Sequence, residues 1–315
     1  MASTSPPWWS KDTVAVVTGA NKGVGYEIAR LLAEQGLTVV LTARDAGRGQ
    51  AAIDALNADG QKSIHFHQLD VKSLESVESL ANWLKTTFGG IHILVNNAAV
   101  ALGPNGIGSA VEYGNAKDIV ETNYYGVKNV TDGLLPLLRS FPAAARIVNV
   151  TSGMGLYERL RAEKLKQMFR DHEENYTIEL VDSLAEKYLE DVRTGKWDEE
   201  GWVEEGEATF PMYSESKMFL NAYNIALAKS LLKSQPEDHQ ILVAAFSPGV
   251  TQTELYIKAI RGGFELPAGF RPQPASQGAD TGVWLALLPK EELAQKTGKF
   301  FKNRAEWGFG SKSLP

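Results

Sequence analysis

Between Thr13 and Phe301 short β-branched apolar runs alternate with stretches of helical periodicity, and no other feature restricts the fold as strongly. Thr13–Thr18, closed by Gly19, is the first run; Gly23–Gln35 follows as a helix, with Ile28, Leu31 and Leu32 at helical spacing and Gly36 as its stop. Leu37–Ala43, Ser63–Leu69, Ile91–Asn96 and Ala145–Thr151 read as four further strands. Helices over Ala46–Ala58 and Leu74–Phe88, and a long one within Val111–Leu138, separate them. Runs apolar at nearly every position are strands buried on both faces, which implies parallel pairing under helices. Right-handed crossovers then give an α/β, Rossmann-like, doubly wound parallel sheet.

The rhythm breaks after Leu156. Tyr157, Leu160, Leu165 and Met168 suggest one amphipathic helix, and Val181, Leu184, Tyr188 and Val192 a second. Alternation resumes with a helix over Tyr213–Leu232, a strand over Gln240–Phe246, a helix near Ser276–Leu288 and a short strand at Lys299–Phe301. The segment 153–212 carries 16 acidic and 8 basic side chains, while the rest of the chain is slightly basic. A chain of 315 residues is long enough for about two domains. Because the same sheet rhythm returns, the expectation is one domain over 1–315, with 153–212 as an acidic helical insertion before Tyr213.

Net charge of −6 disfavours a general nucleic-acid binder. No apolar run reaches the length of a membrane span, and the first ten residues lack the basic and apolar regions of a signal peptide. Cysteine is absent, which removes disulfides, thiolate metal sites and Cys nucleophiles and leaves cytoplasmic location as the default expectation. His65 and His67 share one face of the third strand like a two-ligand metal pair, but with no cysteine and no nearby carboxylate cluster the expectation is no metal.

The first strand runs into Thr18-Gly19-Ala20-Asn21-Lys22-Gly23-Val24-Gly25, which opens the first helix. Glycines there let the backbone turn tightly and approach a pyrophosphate, whose charge the helix N-terminus favours. A glycine-rich turn with no ligand is the competing reading; a strand before and a helix after favour the nucleotide. The second strand ends in Thr42-Ala43-Arg44-Asp45, with Arg48 a turn later. A carboxylate at that strand end would suit the ribose 2′-hydroxyl of NAD, and cations would suit the 2′-phosphate of NADP. Ala43 offers no carboxylate, whereas Arg44, Arg48 and Lys22 can converge there; Asp45 argues the other way. The expectation is NADP(H).

Tyr213 and Lys217 stand at i and i+4 on one helix face. A free phenol ionises near 10, too high to exchange protons readily at neutral pH, and a nearby ammonium lowers that value. Such pairs are also common on solvated helices. Ser152 closes the fifth strand at the carboxyl edge, where such sheets bind ligands, and its hydroxyl is placed to hold a substrate carbonyl; a plain turn serine is the alternative. A hydrolase built on Ser152 lacks a G-x-S-x-G elbow.

The glycine turn, Asn96-Asn97-Ala98-Ala99, Asn123, Ser152, Tyr213 with Lys217, and Ser247-Pro248-Gly249 occur in the order that resembles the short-chain dehydrogenase/reductase superfamily, from about Val14 to Phe301. The run Val39–Asp45 and the 61 positions from Ser152 to Tyr213 look like the monomeric carbonyl reductases and the plant reductases of menthone-type terpenoids and salutaridine. Ala99 stands where the family usually has glycine. The resemblance implies that Tyr213 protonates the carbonyl oxygen and that Lys217 holds the nicotinamide ribose and lowers the tyrosine pKa. Ser152 would orient the carbonyl, and Asn123 would hold a proton-relay water. It places Gly19, Asn21, Lys22, Gly23, Val24 and Gly25 at the phosphates, Asn96 and Ala98 along the adenosine and ribose, and Asp70 and Val71 beside adenine. Pro248, Gly249, Val250 and Thr253 would cover the nicotinamide amide.

In tetrameric relatives the helices flanking Ser152 and Tyr213 form an interface, so an insertion covering them implies a monomer. The same segment would roof the substrate cleft, making Met154, Tyr157 and Met212 pocket candidates, although each could equally be core. The expected activity is NADPH-dependent reduction of an apolar ketone or aldehyde to an alcohol. Reduction of a conjugated C=C bond and a non-catalytic NADP-binding regulatory role are the alternatives. Ser311–Pro315 does not form a peroxisomal terminus.

Overall fold

The computed structural model describes residues 6–61, 63–101, 111–139, 144–172, 175–202, 211–236, 239–261 and 271–310. Residues 102–110, 203–210, 262–270 and the C-terminal pentapeptide lie outside them.

Strands β1 (Val14–Val17), β2 (Thr38–Ala43), β3 (Ile64–Gln68), β4 (Ile93–Asn96), β5 (Ala145–Val150), β6 (Ile241–Phe246), β7 (Phe300–Lys302) and β8 (Ala305–Glu306) form one sheet, ordered β3-β2-β1-β4-β5-β6-β7-β8. Every pairing is parallel except β7 with β8. Alternate residues of each strand enter two separate cores. Val14, Val16, Leu94, Ile147 and Val243 belong to one; Ala15, Val17, Val95, Val148 and Leu242 belong to the other. Burial on both faces explains why the strands read as unbroken apolar runs. The strand order reverses between β1 and β4, which opens a crevice at their carboxyl ends.

Helices α1 (Gly23–Glu34), α2 (Ala46–Ala58) and α3 (Leu74–Phe88) follow the first three strands. The long helix expected within Val111–Leu138 is α4 (Tyr113–Val120) and α5 (Gly126–Leu134), joined by a π-turn at Glu121–Tyr125. After α6 (Glu163–His172) and α7 (Ile178–Arg193) come α8 (Tyr213–Ser234), α9 (Glu254–Arg261), α10 (Ala275–Leu287) and α11 (Lys290–Ala294). Helices α9 and α11 and the antiparallel β8 had no counterpart in the sequence reading; each is short.

The insertion differs from its pattern at one end. Tyr157 and Leu160 do not sit on a helix with Leu165 and Met168. A 3₁₀ turn spans Tyr157–Arg159, Leu160 is extended, and α6 starts at Glu163. The backbone amides of Arg161 and Ala162 both donate to the Gly201 carbonyl, which draws the chain aside before the helix can begin. The second predicted helix forms as α7, and its buried Val181, Leu184, Tyr188 and Val192 join the same core as α8.

Candidate active site

The glycine turn is shaped by close approach. Gly19 has φ +60°, and a Cβ there would lie 2.8 Å from Ala98 Cα; a Cβ on Gly25 would lie 2.2 Å from Asn97 Nδ2. That amide donates to the carbonyls of Thr18 (2.8 Å) and Gly19 (3.1 Å), while Thr18 Oγ1 accepts from the backbone amides of Asn97 and Ala98. The strand end β4 therefore clamps the turn from beneath, and Ala20 N–H ties it to Thr42 O on β2. Asn97 is a positioning residue that the sequence reading quoted only as part of a motif. Asn21, Lys22, Gly23 and Val24 complete the turn and the start of α1. The glycines let the turn pack this closely on the end of β4, which fixes the start of α1, where a helix N-terminus suits a pyrophosphate.

Asn96, expected along the ribose, has its side chain engaged within the protein. Its side-chain amide is buried and donates to Thr131 Oγ1 (3.1 Å) and Asn149 Oδ1 (3.0 Å), pinning β4 to α5 and β5.

Beyond the β2 and β3 ends lies a cavity of about 610 Å³, lined by Arg44, His67, Gln68, Asp70, Ser73, Glu75, Ser76 and Ser79. Val71 packs beneath it, close to Gly126 on α5. The opposing carboxylate is accounted for: Asp45 caps α2 by accepting from Arg48 N–H at 2.8 Å. Arg44 and Arg48 are exposed. His65 and His67, the expected non-ligands, pack their rings on Phe88 and Trp83, and His67 also lines the cavity. Lys22 forms an ion pair with Glu254 at 2.5 Å.

At the other end of the crevice the expected catalytic side chains come together. Ser152 Oγ accepts from Met154 N–H (3.1 Å) and bonds the Tyr213 phenol. Tyr213 is the first residue of α8, and the Lys217 Nζ lies 5.8 Å from its ring centroid. Lys217 is 2% exposed and donates to the Val150 carbonyl at 3.0 Å. The helix is held in place by small residues. A Cβ on Gly155 would meet Lys217 backbone at 2.4 Å, and Asn221 Nδ2 donates to Gly155 O at 2.9 Å. Met212 has φ +73° just before Tyr213, a left-handed conformation rare outside glycine, and its N–H donates to the buried Glu215 carboxylate at 2.6 Å.

Burial sets the ionisation of the pair. Desolvation pushes the Tyr213 phenol up to about 12, against the opposing hydrogen bond from Ser152, and pulls the Lys217 ammonium down to about 7. Burial thus moves both groups toward their neutral forms. A phenol that keeps its proton at neutral pH is suited to donate one.

Asn123 sits in the π-turn, wholly buried. Its side chain bonds both the N–H and the C=O of Val100, at 2.8 and 2.7 Å, and Ser216 Oγ at 2.9 Å. It thus joins the loop after β4, beyond half-buried Ala99, to α8. Pro248-Gly249-Val250 follows β6, with Gly249 at φ +68° and Gln273 donating to Pro248 O at 2.6 Å. Thr253 Cγ2 would touch a Cβ on Gly23 at 3.3 Å, so this segment closes onto the glycine turn.

Comparison with known proteins agrees with this geometry. A family model described as short chain dehydrogenase matches residues 13–163. Short-chain dehydrogenase/reductase 1 of Saponaria officinalis is 36% identical over 312 residues, covering 91% of this chain and 93% of its own. The chain belongs to the short-chain dehydrogenase/reductase family. Carbonyl reductase (NADPH) 1 of Sus scrofa is 35% identical over 310 residues, covering 97% and 98%. The solved salutaridine reductase of Papaver somniferum superposes with a TM-score of 0.77 at 31% identity, over 92% of this chain and 99% of its own.

In this short-chain dehydrogenase two of the three residues expected at the pocket, Tyr157 and Met212, are buried in one core, and Met154 is half-buried. Met154 is half-buried on the 3₁₀ turn after Ser152, and Met212 precedes Tyr213. Tyr157 is core: its ring stacks on Phe169 at 5.9 Å and meets Phe309 edge-on at 4.9 Å. No helix among the described residues is long and apolar enough to cross a membrane.

Proposed function

We propose that the chain is an NADPH-dependent carbonyl reductase that converts a ketone or aldehyde to an alcohol. The observation that carries this reading is the cluster of half-buried Ser152 and Tyr213 with buried Lys217 at the carboxyl end of β5, beside a glycine turn with cations at its adenosine end. Relatives named carbonyl reductase with NADPH, and salutaridine reductase, support the same chemistry and cofactor. When bound, NADPH supplies the hydride that reaches the carbonyl carbon.

The chain's own part is to hold and to protonate. Gly19–Gly25 would hold the pyrophosphate, and Arg44, Arg48 and Lys22 the 2′-phosphate. Ser152, its hydroxyl oriented by Met154 N–H, would hold the substrate carbonyl oxygen next to the Tyr213 phenol, which donates its proton there. Lys217, anchored on Val150, would bind the ribose and steady the tyrosine. The Asn123 side chain is occupied by Val100 and Ser216, so it would support a relay water by shaping the π-turn around it. Retention of a positioned phenol favours carbonyl over C=C reduction.

Chain 153–212 would act within the same unit. Helix α7 covers α8 through Tyr188 and Trp202 against Phe219, which leaves that face closed to a second copy and implies a monomer. A dimer by light scattering would refute that part.

The test follows NADPH oxidation with cyclic ketones, quinones, aldehydes and enones, NADH run in parallel. Turnover of ketones or aldehydes with NADPH preferred is expected. Tyr213→Phe should nearly abolish turnover while NADPH still binds; full activity in that variant would sink the mechanism.

A further inference from the structure

The ion pair between Lys22 and Glu254 joins two places 232 residues apart in sequence: the glycine turn and the first turn of α9. Both groups are about half exposed, so the pair adds little to stability. Its position gives it another consequence. Lys22 is the one cation of the three assigned to the 2′-phosphate that already carries an anion as partner among the described ion pairs. Glu254 is also held by a second cation on its own helix, Lys258 Nζ at 2.7 Å. The two lysines draw its carboxyl down to about 2, so it remains an anion at any working pH.

We propose that Glu254 competes with the cofactor's 2′-phosphate for Lys22 and so sets how tightly, and how selectively, NADPH is held. A phosphate carries more charge than a carboxylate and offers more acceptor oxygens, so it displaces Glu254 from the ammonium. Glu254 is not stranded when that happens, because Lys258 lies at i+4 and keeps it paired. The exchange therefore costs little, and on departure of the cofactor the carboxylate is at hand to retake Lys22. The contact of Thr253 with Gly23 keeps the start of α9 within reach of the turn throughout. A ligand without the 2′-phosphate leaves the pair intact and feels no competition. The inference rests on the assignment of Lys22 to the 2′-phosphate, and its test separates the two.

Dissociation constants for NADPH and NADH are measured by fluorescence for the wild type, Glu254→Gln, Lys22→Met and the double variant. Glu254→Gln should tighten NADPH by about two- to fivefold, the range that loss of one exposed ion pair supports, and leave NADH unchanged. Lys22→Met should weaken NADPH, and in that background Glu254→Gln should do nothing further. If Lys22→Met weakens NADPH but Glu254→Gln leaves it unchanged or weakens it, the competition is refuted while the phosphate assignment stands. Equal tightening of NADPH and NADH by Glu254→Gln would also refute it, since the competed group would be one both cofactors share. If Lys22→Met leaves NADPH affinity intact, the assignment fails and takes the competition with it.

Discussion

Lys217 is the side chain whose burial has the largest thermodynamic consequence. Its ammonium falls from an ordinary 10.5 to about 7, its carbon stem and Nζ are shut away from water, and it donates to the neutral Val150 carbonyl. The unfolded chain keeps the Lys217 proton up to the ordinary value while the folded chain releases it near neutrality. Through that window the unfolded state holds more protons, so the stability of the fold rises with pH. At about 1.4 kcal/mol per pKa unit, the charged lysine costs the fold about 4 kcal/mol near pH 7. Of that, about 2–3 kcal/mol is recovered by pH ~9, where the folded lysine is neutral. Lys217→Met keeps the apolar stem and removes the proton, at a cost of about 1 kcal/mol for the orphaned carbonyl. The variant should therefore be inactive yet more stable than the wild type near neutrality, with its advantage shrinking by about 2–3 kcal/mol on going to pH ~9. Equilibrium urea unfolding of both proteins without cofactor measures this, and subtraction cancels every other titrating group. An advantage that is the same at both pH values, or a variant less stable near neutrality, would show that Lys217 is not held in its neutral form by burial.

Gly25→Ala sets a methyl group 2.2 Å from the Asn97 amide, so the clamp under the turn must move. NADPH affinity should fall by about tenfold or more, equivalent to ~1.4 kcal/mol, and calorimetric titration with an unchanged Kd would count against the clamp. Trp202→Ala removes a fully buried indole that donates to Asp191 Oδ2 at 2.7 Å and packs on Tyr188 and Phe219. A loss of about 3–5 kcal/mol in urea unfolding is expected, and a loss under about 1 kcal/mol would mean that the insertion closes around the gap.

Much of this architecture is legible in local sequence because burial on both faces leaves a local trace. The runs at Val14–Val17 and Ile241–Phe246 are apolar throughout, and each enters both cores. Where structure depends on distant partners the trace is lost. Leu160 has the spacing of a helix with Leu165, but the Gly201 carbonyl turns the chain aside first. The same applies to the site. Gly19, Ser152, Tyr213 and Lys217 stand out by residue type and spacing. Asn97 and Glu254 act through partners 79 and 232 residues away, and neither distance is written in any window of sequence. Asn96 joins β4 to α5 and β5 through its side-chain hydrogen bonds to Thr131 and Asn149, partners 35 and 53 residues away that its motif position does not announce.

The weak periodicity of α8 has a physical reason that also bears on catalysis. A helix with one solvent face shows a polar stripe, but residues 214 to 224 of α8 are buried without a break. The sheet covers it through β6, the 3₁₀ turn after Ser152 covers its start, and α7 with Trp202 covers Phe219 from outside. A helix enclosed in this way must satisfy its polar groups internally. Ser216 donates to Tyr213 O, Lys217 to Val150 O and Asn221 to Gly155 O. The bonds from Lys217 and Asn221 tie the start of α8 to the strand end and turn around Ser152, while that of Ser216 stays within the helix. Enclosure and alignment are thus one arrangement: the packing that shuts Lys217 away from water also sets α8, with Tyr213 at its start, against Ser152. On the proposed mechanism such a cleft would keep the phenol protonated until a carbonyl oxygen that gains negative charge takes the proton, which is what reduction would demand of it.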